Sequence, residues 1–264
     1  MLQILGYFVT LIVGVTLGMI GSGGSILTVP NLVYLFGIDA VHATSYSLFI
    51  IGITSLIGSV SKIKEGFVNF KLVILFGVPS VISMVLTRQF LMPQIPTEIS
   101  LSFGVFHKDF MLMMVFAIIM ILAAFSMITN KQQDCIDCGK KMEKNILLLV
   151  FQGLIIGFVS GILGAGGGFL IIPGLVIFAK VPMKNAVATS LFIVAINSIM
   201  GFGSDYEQFY QLNWSLLIGM TILSVIGIII GNKLVKRIDA KRLKPIFGYF
   251  ILVVAGFILI KEML

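Results

Sequence analysis

Charge is what this chain has least of. Only 11% of its 264 residues are Asp, Glu, Lys or Arg, against about 25% in a soluble domain. The gaps are more telling than the total. No charged side chain precedes Asp39, and none lies between Lys71 and Arg88 or between Asp109 and Lys131. The intervals Lys144 to Lys180, Lys184 to Asp205, Glu207 to Lys233 and Lys244 to Lys261 are equally clean. Several of these runs reach the ~20 residues that a membrane-spanning helix needs. With 58% hydrophobic residues and a mean hydropathy of +1.12, they exclude a soluble globular domain. The period-two alternation of a membrane β-barrel is missing as well.

Other scarcities exclude chemistry. The two cysteines, Cys135 and Cys138, make a CxxC in a polar stretch, too few ligands for a zinc site. An incidental thiol pair is preferred there to a redox or metal role. The stretch Gly21-x-Gly23 lacks the third glycine of a dinucleotide fingerprint and follows a helix, not a strand. No Gly-Lys-Ser/Thr follows either glycine cluster, so an ATP-binding loop is unsupported. With no acid, base or metal cluster, neither an enzyme nor a cofactor is expected. The formal charge of +7 calls for no nucleic acid, because cytoplasmic loops of membrane proteins collect Lys and Arg. The N-terminus has no basic leader, and its apolar run outlasts a signal peptide's; it reads as a first membrane helix.

Glycine is abundant, and its placement organises the chain. Gly21-Ser22-Gly23-Gly24-Ser25, with Pro30 beyond it, recurs as Gly164-Ala165-Gly166-Gly167-Gly168 with Pro173, each number raised by 143. A glycine inside a helix costs about 1 kcal/mol against alanine, so matched clusters in apolar runs read as deliberate breaks. Between residues 14–58 and 157–201, 17 of 45 ungapped pairs are identical. One inserted residue later, Asn69-Phe70 matches Asn213-Trp214. Shared lipid composition does not produce such register, so the chain carries an internal duplication. It divides into a first repeat (1–130), a cytoplasmic linker (131–145) and a second repeat (146–264).

The expected helices in the first repeat are 3–20, a short 26–36, 43–60, 72–87 and 110–128, with a long connection from 88 to 109. Those in the second are 146–163, a short 169–178, 186–202, 214–231 and 245–260. Lys62, Lys64 and Lys71 assign one loop to the cytoplasm, as do Lys233, Lys236, Arg237, Lys241, Arg242 and Lys244 another. Lys180 and Lys184 then fall inside, and Asp39, His42, Asp205 and Glu207 outside. Each glycine break must therefore be the tip of a helix hairpin. Each repeat makes three net crossings, so the repeats are inverted and both termini face outward. The expected fold is an all-α polytopic membrane protein of two inverted-topology repeats. Each repeat holds a re-entrant or broken helix hairpin plus three spanning helices, giving about eight long helices and two short half-helices in all.

Inverted repeats with broken helices are a recurrent secondary-transporter plan. Helix starts leave unpaired N–H groups at a positive dipole end, which suits an anion, and glycine lets an oxyanion approach the backbone. The chain is expected to re-enter a helix at Ser25 and at Gly168. Candidate substrate-binding residues are Gly21, Ser22, Gly23, Gly24 and Ser25 at the first tip, and Gly164, Gly166, Gly167 and Gly168 at the second. Thr44, Ser45, Ser47, Thr189, Ser190, Asn197 and Ser198 offer further polar groups, for which simple helix packing stands as an equal reading. Gly14, Gly18, Gly157 and Gly161 form two GxxxG pairs, a packing motif. Pro30 and Pro173 are assigned structural roles. Asp39 and His42 form a titrating pair near the first hairpin, but Asn185 replaces the histidine in the second copy, so an ordinary edge histidine is preferred. A passive anion channel is the rival to a transporter, and the sequence leaves a homo-oligomer open.

The double G-x-G-G-[GS]…P tip, the A-[TV]-[SA]-x-S-L-F stretch after it and the paired N-[FW] resemble the sulfite exporter TauE/SafE family. The resemblance covers nearly the whole chain. It implies a permease in the plasma membrane of a bacterium or archaeon that moves small sulfur-containing anions such as sulfite, thiosulfate or organosulfonates, coupled to protons. Gly21, Gly23, Gly24, Pro30, Gly164, Gly166, Gly167 and Pro173 carry the tip motif. Ser25 departs from a triple glycine, which bears on which anion fits.

Overall fold

The computed structural model describes residues 2–96, 98–101, 104–129, 146–177, 179, 181–206, 210, 212–234 and 240–263. The linker with Cys135 and Cys138, together with Lys180, Glu207, Lys236 and Arg237, lies outside the described residues. The helices are α1 (Leu2–Ile20), α2 (Thr28–Phe36), α3 (Ala40–Lys64) and α4 (Phe70–Gln94), then α5 (Lys108–Thr129). In the second repeat they are α6 (Ile146–Leu163), α7 (Gly168–Ile177), α8 (Met183–Ser204), α9 (Trp214–Leu234) and α10 (Ala240–Met263). Six of them, α1, α3, α4, α6, α8 and α9, are long and apolar enough to cross a membrane.

Two features differ from the sequence expectation. The third long helix does not stop at residue 87. It runs on to Gln94 through two π-helical turns, Val73–Gly77 and Thr87–Leu91. Pro93 falls in its last turn, where it withholds one backbone donor without ending the helix before Gln94. The connection beyond holds an antiparallel hairpin, β1 (Glu98–Leu101) paired with β2 (Gly104–His107), rather than loop alone. Lys108 Nζ donates to the Met92 and Ile95 carbonyls at 2.7 and 3.3 Å. It thereby supplies a positive charge to the open carbonyl end of α4.

Both glycine breaks turn the chain back on itself. In the first, Asn31 Nδ2 donates to Gly6 O at 3.1 Å and to Thr10 Oγ1 at 2.9 Å, and Tyr7 packs edge-on against Phe36 at 5.2 Å. In the second, Gly174 faces Ile156 across the turn.

Packing is exchanged between the repeats. α1 packs against α9, and α4 against α6; α3 pairs with α8, and α5 with α10. The exchange holds at atomic detail. A Cβ at Gly14 would lie 2.2 Å from Ser224 O, and one at Gly157 would lie 2.1 Å from Ser80 O. Ser80 plus 144 is Ser224, the same offset that relates Asn69 to Asn213. These glycines bring backbones into contact, which is how helices associate where lipid offers no hydrophobic drive. The outer faces repeat too. Ile74, Val78, Ile82 and Leu86 form an exposed stripe on α4, and Ile218, Ile222, Ile226 and Ile230 one on α9. Apolar stripes of this length are lipid-facing surface.

Contacts also sort the chain into two ends. Asn185 Nδ2 donates to Phe67 O, and Asn232 Nδ2 approaches Ser61 Oγ. Lys62, Lys64, Lys71, Lys184 and Lys233 therefore share one end. At the other, Tyr34 donates to Glu262 at 2.7 Å, Lys261 stacks over the Tyr34 ring at 4.2 Å, and Ser45 donates to Asp205. This end gathers Asp39, His42, the start of α1 and the end of α10. The α1–α2 hairpin enters from the Asp39 end, and the α6–α7 hairpin from the Lys62 end.

Candidate functional site

The two hairpin tips meet. Ser22 donates its hydroxyl hydrogen to the Gly168 carbonyl at 2.7 Å, and its Oγ lies 2.9 Å from Ser190 Oγ. A Cβ at Gly21 would lie 2.7 Å from the Val187 side chain, and one at Gly164 would lie 2.2 Å from that of Thr44. Thr44 plus 143 is Val187, so each tip is seated on the equivalent turn of the opposite repeat. All of these residues are buried apart from Val187, which is half-buried.

The tips differ in build. The first re-enters through a 3-10 helix, Ser22–Leu27, after Gly21 at φ 78°. Re-entry thus begins at Ser22 rather than at the expected Ser25. Ser25 instead turns its hydroxyl back to Ser22 O at 2.8 Å. The second tip holds Gly164, Gly166 and Gly167 at φ 63°, 65° and 69°, a left-handed conformation that glycine alone adopts without cost. The chain re-enters at Gly168, as expected.

The remaining candidates separate into two groups. Gly23 and Gly24 are buried in the 3-10 turn, and Gly24 packs on Thr16 and Leu17 of its own hairpin. The Gly24 position therefore faces its own hairpin and not the other repeat. Ser198 on α8 lies against Gly52 of α3, and Ser190 on α8 meets Ser22 of the first tip, while Ser47 is buried on α3. A Cβ at Gly166 would meet Ser198 Oγ at 2.4 Å, and Gly167 rests on Ser160. Asn197 Nδ2 donates to Ser80 Oγ at 2.8 Å. Asn69 N takes its hydrogen bond to Thr189 Oγ1 at 3.0 Å, which places Thr189 at the Lys62 end. Pro30 sits in the first turn of α2, where a missing N–H is tolerated. Pro173 lies inside α7 and removes one helical donor there.

Several buried polar side-chain atoms on α3, α8 and α9 have no hydrogen-bond partner. They are Ser47 Oγ, Thr54 Oγ1 and Ser55 Oγ on α3, Asn197 Oδ1 and Ser198 Oγ on α8, and Ser224 Oγ on α9. Unpaired buried polar groups are uncommon and ask for a reason. Here they recur in repeat-equivalent places: Thr54 with Asn197, and Ser55 with Ser198.

The sequence reading missed two residues. Arg88 was placed at the head of a loop and Asp205 in an outer loop, yet the side chains are 2% and 6% exposed and form an ion pair. Arg88 Nε donates to Asp205 Oδ1 at 2.8 Å and Nη2 donates to Oδ2. Nη1 donates to Gly161 O at 3.1 Å, and the same Nη2 also lies 3.0 Å from both Thr44 Oγ1 and Ser45 Oγ. A signal was present: Arg88 is followed by Phe90, Leu91 and Met92, a further helical turn of apolar residues. His42, by contrast, stays at the surface with Asp39, its Nδ1 2.7 Å from the carboxylate.

Residues 7–258 match the family described as Sulfite exporter TauE/SafE. The chain belongs to this family. Similar curated proteins cover both chains almost end to end. A probable membrane transporter protein of Xylella fastidiosa is 23% identical over 94% of this chain and 91% of its own. The probable membrane transporter protein MJ0441 of Methanocaldococcus jannaschii is 31% identical over 88% and 85%. The probable membrane transporter protein YunE of Bacillus subtilis is 27% identical over 96% and 95%. No solved structure matches the chain.

Proposed function

We propose that this TauE/SafE family member is a membrane transporter and not an enzyme, a secondary permease for small anions, sulfur-containing ones such as sulfite, thiosulfate or organosulfonates. The carrying observation is the contact of two glycine tips, one from each repeat, beside unpaired buried hydroxyls. The anion sits between the tips, taken up by backbone N–H groups at the starts of the re-entrant helices and by Ser22, Ser47, Ser190 and Asn197. The two repeats are inverted in the membrane, so rocking one against the other exposes the tips to each side in turn. The basic end faces the cytoplasm, which puts both termini outside the plasma membrane. Transport is coupled to protons.

Purified protein in liposomes tests this. With an imposed pH gradient, flux of sulfite, thiosulfate, a sulfonate and sulfate is measured for wild type and for Gly23→Val and Gly167→Val. Saturable, gradient-driven flux that both variants abolish while still inserting supports the reading. Normal flux in the variants would falsify it, and conductive flux indifferent to the gradient would make the protein an anion channel.

A further inference from the structure

The ion pair between Arg88 and Asp205 is built unlike a brace. Its two residues come from different repeats, and four segments converge on it. Arg88 lies on the second π-helical turn of α4, a distortion that is frequent at functional sites. The guanidinium presents its two-pronged edge to the carboxylate, while Ser45 donates to the same carboxylate and Thr44 Oγ1 lies 3.0 Å from Nη2. Thr44 is also the residue on which the second glycine tip is seated. The guanidinium is thus one turn from the proposed substrate position.

The other end of the molecule lacks the pair. Arg88 plus 144 is Asn232, and the repeat partners of Thr44 and Ser45 are Val187 and Ala188. The backbone there is packed just as closely, a Cβ at Gly18 lying 2.7 Å from Asn232 N. Yet Asn232 Nδ2 reaches only Ser61 Oγ at 3.5 Å. A pocket of about 240 Å³ opens beside it, lined by Ser61, Lys62, Glu65, Asn232 and Lys233. The equivalent helix contact therefore holds without an ion pair, and a purely structural need for one is not apparent.

We propose that Arg88, with Ser45 and Thr44, is an anion-binding site on the transport path, and that the Asp205 carboxylate is a tethered occupant which the transported anion displaces. This rests on the transport reading above. The ligand class follows from the donors: an anion that offers two oxygens to a guanidinium fork, as a sulfite, a sulfonate or a carboxylate does. Asp205 caps the end of α8, so exchange frees a segment end rather than a helix interior. While Asp205 occupies the fork, the pair ties α4 to the end of α8, and displacement by an incoming anion unties them.

The test measures saturable uptake of sulfite, methanesulfonate and acetate into proteoliposomes, with folding checked by size-exclusion chromatography and helical circular dichroism. Asp205→Asn removes the competitor's charge, so the half-saturating concentration falls at least tenfold. Arg88→Lys keeps charge without the fork, and it rises at least tenfold. The charge swap Arg88→Asp with Asp205→Arg preserves an ion pair and the fold but abolishes uptake, since the cation now rides on the wrong segment. Uptake restored by the swap would show the pair to be structural and overturn the proposal, as would an unchanged or raised half-saturation in folded Asp205→Asn. Should Asp205→Asn not fold, the swap alone decides. Folded wild-type protein that takes up none of the probes would fell the transport reading itself, a different failure from wild-type uptake with indifferent variants.

Discussion

Ser22 donates its hydroxyl hydrogen to the Gly168 carbonyl at 2.7 Å, joining the first glycine tip to the second across 146 residues of sequence. The contact leaves no room for a side chain at residue 168, where a Cβ would lie 2.3 Å from Ser22 Cβ and 2.4 Å from Ser22 O. Its φ is not left-handed, so the cost of a substitution is steric alone. Gly168→Ala is expected to part the tips and lower anion flux at least tenfold. The overpacking itself costs about 1–3 kcal/mol. Ser22→Ala removes one hydrogen bond between the tips, about 1 kcal/mol, and one proposed anion ligand while keeping the tips in contact, so flux falls, but less than in Gly168→Ala. Flux per folded protein in liposomes checks both; full activity in Gly168→Ala would mean the tip contact is incidental.

The packing glycines make a separable prediction about stability. Gly18 faces backbone, its added Cβ lying 2.5 Å from Ile228 O and 2.7 Å from Asn232 N. Gly161 faces the Thr87 side chain at 2.8 Å, with the nearest carbonyl at 3.1 Å. The nearest atoms at Gly18 are all backbone and lie closer, so the helices must part further there than at Gly161. Gly18→Ala should therefore lower the thermal unfolding midpoint in detergent clearly more than Gly161→Ala, although the two glycines are repeat equivalents. Equal shifts would mean that α4 and α6 are as rigidly packed as α1 and α9.

Tip geometry separates the second cluster from the first by a different measure. Gly166 has φ 65° and would place a Cβ 2.4 Å from the unpaired Ser198 Oγ. Gly166→Ala therefore combines backbone strain with overpacking. Adding Ser198→Ala relieves the overpacking and leaves the strain. The double variant should recover part of the lost unfolding midpoint but not all of it. Full recovery would assign the whole cost to packing, and none would assign it to the backbone.

The helices, both hairpins and the duplication were legible because each is written in a one-dimensional signal. Apolar runs between charges mark long helices, and glycine clusters in register mark the tips. Counting charged ends was enough to turn Gly21 and Gly164 from kinks into hairpin turns. What stayed hidden depends on partners remote in sequence. Arg88 lies 117 residues from Asp205, so each alone looks like a helix end entering water. The π-helical turns of α4 leave no mark in composition, and β1 and β2 pair in a segment whose prolines read as loop. Ser25 was misjudged for a local reason. A 3-10 turn accommodates Gly23 and Gly24 where an α-helix start was expected, and it moves re-entry forward to Ser22.

Orientation in the membrane gives the last prediction. Asp39 caps α3 by accepting from His42 N at 3.1 Å, and it shares its end of the molecule with Glu262, which accepts from Tyr34. Lys184 is exposed at the start of α8, beside Asn185, which reaches Phe67 O at the opposite end. Lysine-rich ends stay in the cytoplasm, so the two positions should report opposite sides. In a protein with Cys135 and Cys138 replaced by Ser, Lys184→Cys should react with an impermeant thiol reagent only from the cytoplasmic face. Asp39→Cys should react only from the outside, at a cost of about 1 kcal/mol for the lost cap. Labelling of both from one side would break the odd count of crossings. The hairpins would then enter from the same face, and the tips would no longer approach one another from opposite sides of the bilayer.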